Sequence, residues 1–242
     1  MDVYYITGAS RGLGRAMAEA LLLDPANRVF GIARSRTIRH GNYHHVDLDL
    51  GDDTAVSRFR FQPPPRAKRL VLINNAGVIA PVAPVGKLDD LEISRCMKIN
   101  LISPAILMNK FLSETGTRRA DRLIVNISSG AARHTVGSWS GYCSAKAGLD
   151  MFSQVLHSEQ TSGGTGHPVR VFSIAPGVVD TDMQRELRTV PGRNFADKAR
   201  FVQMKKNGVL STAEETAGSI LKILRQPENY PDVCMDVRDL QS

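Results

Sequence analysis

Short apolar runs alternate along the chain with stretches whose apolar residues recur every three or four positions. VYYIT (3–7), VFGIA (29–33), HHVDL (44–48), RLVLINNAG (69–77), RLIVNISS (122–129) and VRVFSIAP (169–176) read as strands, and VCMDV (233–237) as a short closing one. Helical periodicity is expected from about Gly12 to Leu23, Leu88 to Leu112 and Gly141 to Gln160, across pieces of 180–206, and near 212–225. Pro104 has no N–H to donate, so the 88–112 helix is expected to divide near it. Ser211 or Thr212, with Glu214 and Glu215 close behind, gives the last helix its start signal. Strands this short and apolar, alternating with helices, predict βαβ crossovers. The expected fold is one α/β domain: a doubly wound parallel sheet of about seven strands, with helices on both faces. QPPPR (62–66) reads as a stiff connection and SGGTGH (162–167) as a loop, and neither divides the chain.

Composition narrows the function classes. Of 242 residues, 42% are hydrophobic and 23% charged, as in ordinary globular domains. No apolar run approaches the ~18 residues of a membrane span. MDVYYITG lacks the basic start of a secretory signal. Cys96, Cys143 and Cys234 form no CxxC or zinc spacing, and an odd count suits reduced thiols, so a cytoplasmic location is expected. His40, His44 and His45 have no cysteine or acidic companion at ligand spacing, so no metal is expected. The net charge of +7 is scattered rather than gathered in a stripe with aromatics, which argues against nucleic acid and leaves attraction of phosphorylated ligands.

TGASRGLG (7–14) follows the first strand and opens the first helix. Gly8, Gly12 and Gly14 would let the backbone turn tightly against a pyrophosphate seated on the helix N-terminus. Dinucleotide sites that take NAD usually carry an acid at the end of the second strand for the ribose 2′-OH. Here GIARSR offers none, and Arg34, helped by Arg11, suits a 2′-phosphate instead. The expected cofactor is NADP(H).

In GYCSAKAGLD (141–150), Tyr142 and Lys146 stand four apart, hence on one helix face, among small neighbours. Cys143, one position on, faces elsewhere and is expected to pack. Ser129 lies thirteen residues before Tyr142, at the tip of a strand.

Taken in order, the glycine turn, Asp47, NNAG (74–77), Asn100, Ser129 with Tyr-x-x-x-Lys, and PGVVDT (176–181) resemble the classical short-chain dehydrogenases/reductases, with their Rossmann-type fold, over essentially the whole chain. SSGAA (128–132), Trp139 and APGVVDTDMQ (175–184) look most like the benzil and sepiapterin reductase subgroup.

The resemblance implies that the glycine turn (Gly8, Ser10, Arg11, Gly12, Leu13, Gly14), Asp47 and Leu48 beside adenine, and Asn75, Ala76 and Gly77 beside the ribose hold the cofactor. Pro176, Gly177, Val179 and Thr181 would meet the nicotinamide. Tyr142 would be the general acid. Lys146 would lower its pKa and bind ribose hydroxyls. Ser129 would steady the carbonyl oxygen, and Asn100 would complete a proton relay. Trp139 covers substrate or simply packs. Met183 and Gln184 lie on the segment over the site. Asp236 anchors a pterin or pairs with Arg238. The expected activity is NADPH-dependent reduction of a small dicarbonyl or activated ketone by a homodimer or homotetramer. A 3-oxoacyl-carrier-protein reductase and a non-catalytic NADP(H)-sensing protein are the alternatives.

Overall fold

The computed structural model describes residues 1–116, 119–162 and 168–240. Most of the loop expected at 162–167 lies outside them. Seven parallel strands, β1 (Asp2–Thr7), β2 (Arg28–Ala33), β3 (Tyr43–Asp47), β4 (Arg69–Asn74), β5 (Asp121–Ile127), β6 (Arg170–Ala175) and β7 (Cys234–Asp236), form one sheet in the order β3-β2-β1-β4-β5-β6-β7. The order reverses between β1 and β4, which opens a crevice at the carboxyl ends of the strands.

Strand alternation builds two cores. Leu70 and Leu72 of β4 join Tyr5, Ile124, Leu107, Phe111 and Leu149 on one face. Val71 and Ile73 join Ile6, Met17, Val125, Ile174 and Ile220 on the other. The first face is covered by α4 (Ser103–Thr115) and α5 (Ser140–Ser162), the second by α1 (Gly12–Leu22) and α8 (Ala213–Arg225). Thr212 starts α8 with a full capping box, its hydroxyl accepting from Glu215 N and Glu215 accepting from Thr212 N.

One helix is additional to those expected, and the 88–112 helix divides, as expected, close to Pro104. The short helix α2 (Asp53–Arg58) is additional; Asp52 caps it by accepting from the N–H groups of Thr54 and Ala55. The expected 88–112 helix is α3 (Asp90–Met97) and α4, joined by a π-helical turn at Lys98–Ile102. Pro104 is the second residue of α4. It cannot donate to the turn before it, and the wider turn ahead, with Ser103 N–H bonded to Lys98 O, absorbs the mismatch. No helix among the described residues is long and apolar enough to cross a membrane.

Two further helices, α6 (Asp182–Thr189) and α7 (Lys198–Lys206), lie over the carboxyl ends of the strands, where Leu187 and Phe201 join a third cluster with Ile79, Cys96, Trp139, Tyr142 and Phe195.

Candidate active site

A cleft of about 680 Å³ occupies the crevice predicted by the strand order. One end is floored by the glycine turn and the tips of β2 and β4. The other is walled by Ser129, Trp139, Tyr142, Met183, Leu187 and Phe201.

The glycine turn is a cradle in which side chains have no room. Gly8 and Gly12 have φ of +69° and +53°. A Cβ on Gly14 would lie 2.5 Å from Gly8 O. Asn75 pins the turn from β4, its amide donating to Thr7 O at 2.9 Å, while Thr7 Oγ1 accepts from the N–H groups of Asn75 and Ala76. The first turn of α1 has neither a capping side chain nor an acidic residue, so its N–H groups are left for an anion. This donor set fits a dinucleotide pyrophosphate. Arg11 and Arg34 flank it, each on a partly exposed carboxylate: Arg11 on Asp182 at 3.2 Å and Arg34 on Asp49 at 3.9 Å. Pairs of this kind are weak and exchange partners easily.

At the other end, β5 delivers Ser129 just past its tip, and α5 delivers Tyr142 and Lys146 from its first two turns. Ser129 stands with Tyr142 on this wall, near enough for its hydroxyl to pull the phenol's titration down, and Ser129 Oγ accepts from Ala131 N at 3.2 Å. Lys146 Nζ is buried, donates to Ile127 O at 2.7 Å, and sits 5.8 Å from the centre of the Tyr142 ring. Asn100, in the π-helical turn, is fully buried: its amide donates to Val78 O (2.8 Å) and Cys96 O (2.9 Å), and its Oδ1 accepts from Val78 N (3.2 Å). It stands behind the cleft wall, not on it.

Burial governs both titrations. It pushes the Tyr142 phenol up to about 12, with the neighbouring Ser129 hydroxyl pulling back. It pushes Lys146 down to about 8, opposed by Asp150 and Cys96. Among the chain's own groups burial dominates the phenol, and Lys146, whose Nζ donates to Ile127 O, is not one of those that lower it. Lys146 also yields a test of fold stability. Between pH 8 and its unfolded value of 10.5 the folded chain holds fewer protons on this lysine than the unfolded chain, so its contribution to stability rises with pH across that window. Urea melts at pH 8 and pH 10 should show wild type gaining on Lys146→Met; parallel changes would refute it.

Most residues expected at the site line the cleft: Gly8, Ser10, Arg11, Gly12, Leu13, Arg34, Leu48, Asn75, Ala76, Gly77, Ser129, Trp139, Tyr142, Lys146, Pro176, Gly177, Val179, Thr181, Met183 and Gln184. Gly14 sits beneath the turn. Two further expected residues do not line the cleft. Asp47 is the last residue of β3, paired in register with Ala33 and exposed; Asp49, two residues past the strand, reaches the cleft. Asp236 does not line the cleft. Its carboxylate accepts from Arg238 Nε (2.8 Å), Nη2 (2.7 Å) and backbone N (2.9 Å), and this guanidinium holds the carboxyl below its usual range. Arg238 is the member of the pair on the cleft, and sequence reading missed it there. Trp139 lines the cleft and also packs: its ring stacks on Phe195 (5.6 Å) and meets Tyr142 edge-on (5.7 Å). Trp139 Nε1 and Gln184 Nε2 are buried donors with no hydrogen-bond partner.

The comparisons agree with this geometry. A family model described as short chain dehydrogenase matches residues 2–191. The chain is 34% identical over 233 residues to a benzil reductase ((S)-benzoin forming) of Bacillus subtilis, covering 93% of this chain and 94% of that protein. It is 32% identical to the sepiapterin reductase of Mus musculus, covering 93% and 92%. The crystal structure of the KRED1-Pglu enzyme superposes with a TM-score of 0.78 at 30% identity, covering 92% of this chain and 94% of that one. A family that binds nicotinamide cofactors, a cradle shaped for a dinucleotide, and a serine, tyrosine and lysine gathered at its far end give one conclusion: this chain is an oxidoreductase of the short chain dehydrogenase family.

Proposed function

We propose that the protein is an NADPH-dependent carbonyl reductase acting on small dicarbonyls or similarly activated ketones. The observation that carries this reading is the gathering of Ser129, Tyr142 and Lys146 on the wall of one cleft beside Trp139 and Phe201, with Lys146 Nζ 5.8 Å from the centre of the Tyr142 ring. When bound, the nicotinamide supplies the hydride. The rest of the work falls to the chain's own side chains. Tyr142, protonated at neutral pH, gives its proton to the carbonyl oxygen as charge develops there. Ser129 donates to the same oxygen. Lys146 binds ribose hydroxyls, and Asn100 holds the turn behind it as part of the proton path. Trp139 and Phe201 give a ring-bearing substrate an apolar wall and shut out water. Pairing of copies is supported by the exposed apolar row Met151, Phe152 and Val155 on α5.

NADPH preference rests on Arg34 and Arg11 at the cleft and on β2 ending at Ala33 with no carboxylate. A charge-assisted hydrogen bond is worth about 1.5–3 kcal/mol. Arg34→Ala should therefore cost about 10–100-fold in kcat/KM with NADPH and little with NADH. Equal turnover of wild type with both cofactors would refute the preference. Rates on a benzil-like diketone, a pterin side-chain ketone and an acetoacetyl carrier test the substrate class; preference for the carrier would replace the diketone reading.

A further inference from the structure

One turn beyond Lys146, on the same face of α5, lies a buried carboxylate that the mechanism above does not use. Asp150 has a side chain 8% exposed. Its Oδ1 accepts from Ser173 Oγ of β6 at 2.6 Å, and its Oδ2 from Arg133 Nε at 3.2 Å. Arg133 ends the single 3-10 turn that begins at Ser129, and its Nη2 reaches Met235 O of β7 at 3.5 Å. The carboxylate thus ties together the helix that bears Tyr142 and Lys146, the turn that bears Ser129, and the two strands beside them. A buried charge is retained only where it is paired and hydrogen-bonded, and this one is both.

We propose that Asp150 is a positioning residue for Lys146: a fixed negative charge one turn away that keeps the buried ammonium protonated, with Arg133 setting how much of that charge Lys146 feels. The groups around Lys146 support this assignment. Titratable neighbours are Tyr142 and Asp150 on its own helix and Cys96 from α3; β5 presents only the Ile127 carbonyl, and the 74–77 turn brings Gly77 close without charge. Tyr142 and Cys96 are both pushed up by burial, hence neutral near pH 7, which leaves Asp150 as the anion among these neighbours. Around Asp150 stand Arg133, Lys146, the Ser173 hydroxyl and the partly buried Cys234 thiol of β7, which burial also pushes up.

The consequence for catalysis rests on the proposed role of Lys146, so the test reads the lysine first and the activity second. In protein labelled with 13C at lysine Cε, the Lys146 signal is followed by NMR through pH in wild type, Asp150→Asn and Arg133→Gln. Asp150→Asn keeps the size and the acceptor for Ser173 while removing the charge, and the midpoint should fall by on the order of one pH unit. Arg133→Gln unmasks the carboxylate, and the midpoint should rise. A merely structural role would move neither, or move both the same way, and either result overturns the proposal. If Asp150→Asn does not fold, as judged by circular dichroism, the upward shift in Arg133→Gln decides alone. The pH profile of ketone reduction should follow the same opposed shifts. Should the lysine midpoints move as stated and the activity profile stay put, the role of Lys146 in reduction is wrong and the placement of Asp150 stands.

Discussion

Tyr142→Phe keeps the ring that packs against Trp139, removes only the phenolic oxygen, and should lower ketone reduction by about 10²–10⁴-fold, the range a positioned general acid contributes. Steady-state oxidation of NADPH with a diketone measures it. Because the cradle at the other end of the cleft is untouched, NADPH affinity by equilibrium titration should change little. Ser129→Ala should cost less, since it removes one donor to the oxygen and leaves the proton in place. A Tyr142→Phe enzyme that reduces ketones at the wild-type rate would end the assignment of the proton to this residue.

The second large effect is at Gly14. An added methyl would sit 2.5 Å from Gly8 O and against the Asn75 amide, which is itself held by Thr7 O. Neither neighbour is the loose end of a flexible chain, so the turn must shift. Overpacking of this kind costs about 1–3 kcal/mol of stability. The same shift displaces the N–H groups that would meet the pyrophosphate, so NADPH affinity should fall tenfold or more in Gly14→Ala, read by titration and by the loss of thermal protection on adding cofactor. Gly192→Ala is the control: an added methyl there meets nothing within 4 Å. Equal behaviour of the two variants would show that the cradle tolerates what its geometry forbids.

What could be read from the chain in advance was local. The strand-then-glycine turn, the four-residue spacing of Tyr142 and Lys146, and Ser129 at a strand tip each need only neighbouring residues to define them, and the family they resemble is the family to which the chain belongs. The sheet followed from the alternation of apolar runs and helices for the same reason. What escaped depends on partners distant in sequence. HHVDLDL (44–50) offers two aspartates of the same parity, and the one that reaches the cleft is decided by where β3 stops pairing with β2, at Asp47 beside Ala33. The helix α2 buries only Val56, too little to leave a periodic signal, although Asp52 was available as its cap. Asp236 was open to either of two partners, and the fold of the last residues gave it to Arg238. The four-residue spacing of Tyr142 from Lys146 likewise says nothing of how deeply the phenol is buried.

The widened turn at Lys98–Ile102 has a consequence for how this region can vary. It carries one residue more than a regular helix would, so everything upstream is rotated by about 100° relative to everything downstream. That offset lets a single continuous rod serve two clients: Cys96 joins the cluster of Trp139 and Tyr142 beside the cleft, while Leu107 and Phe111 join the interior beneath the sheet. Removing any one residue between 98 and 102 would straighten the rod and make the clients compete for one azimuth. Substitutions there, at Asn100 excepted, are therefore tolerable in a way that a single-codon deletion is not.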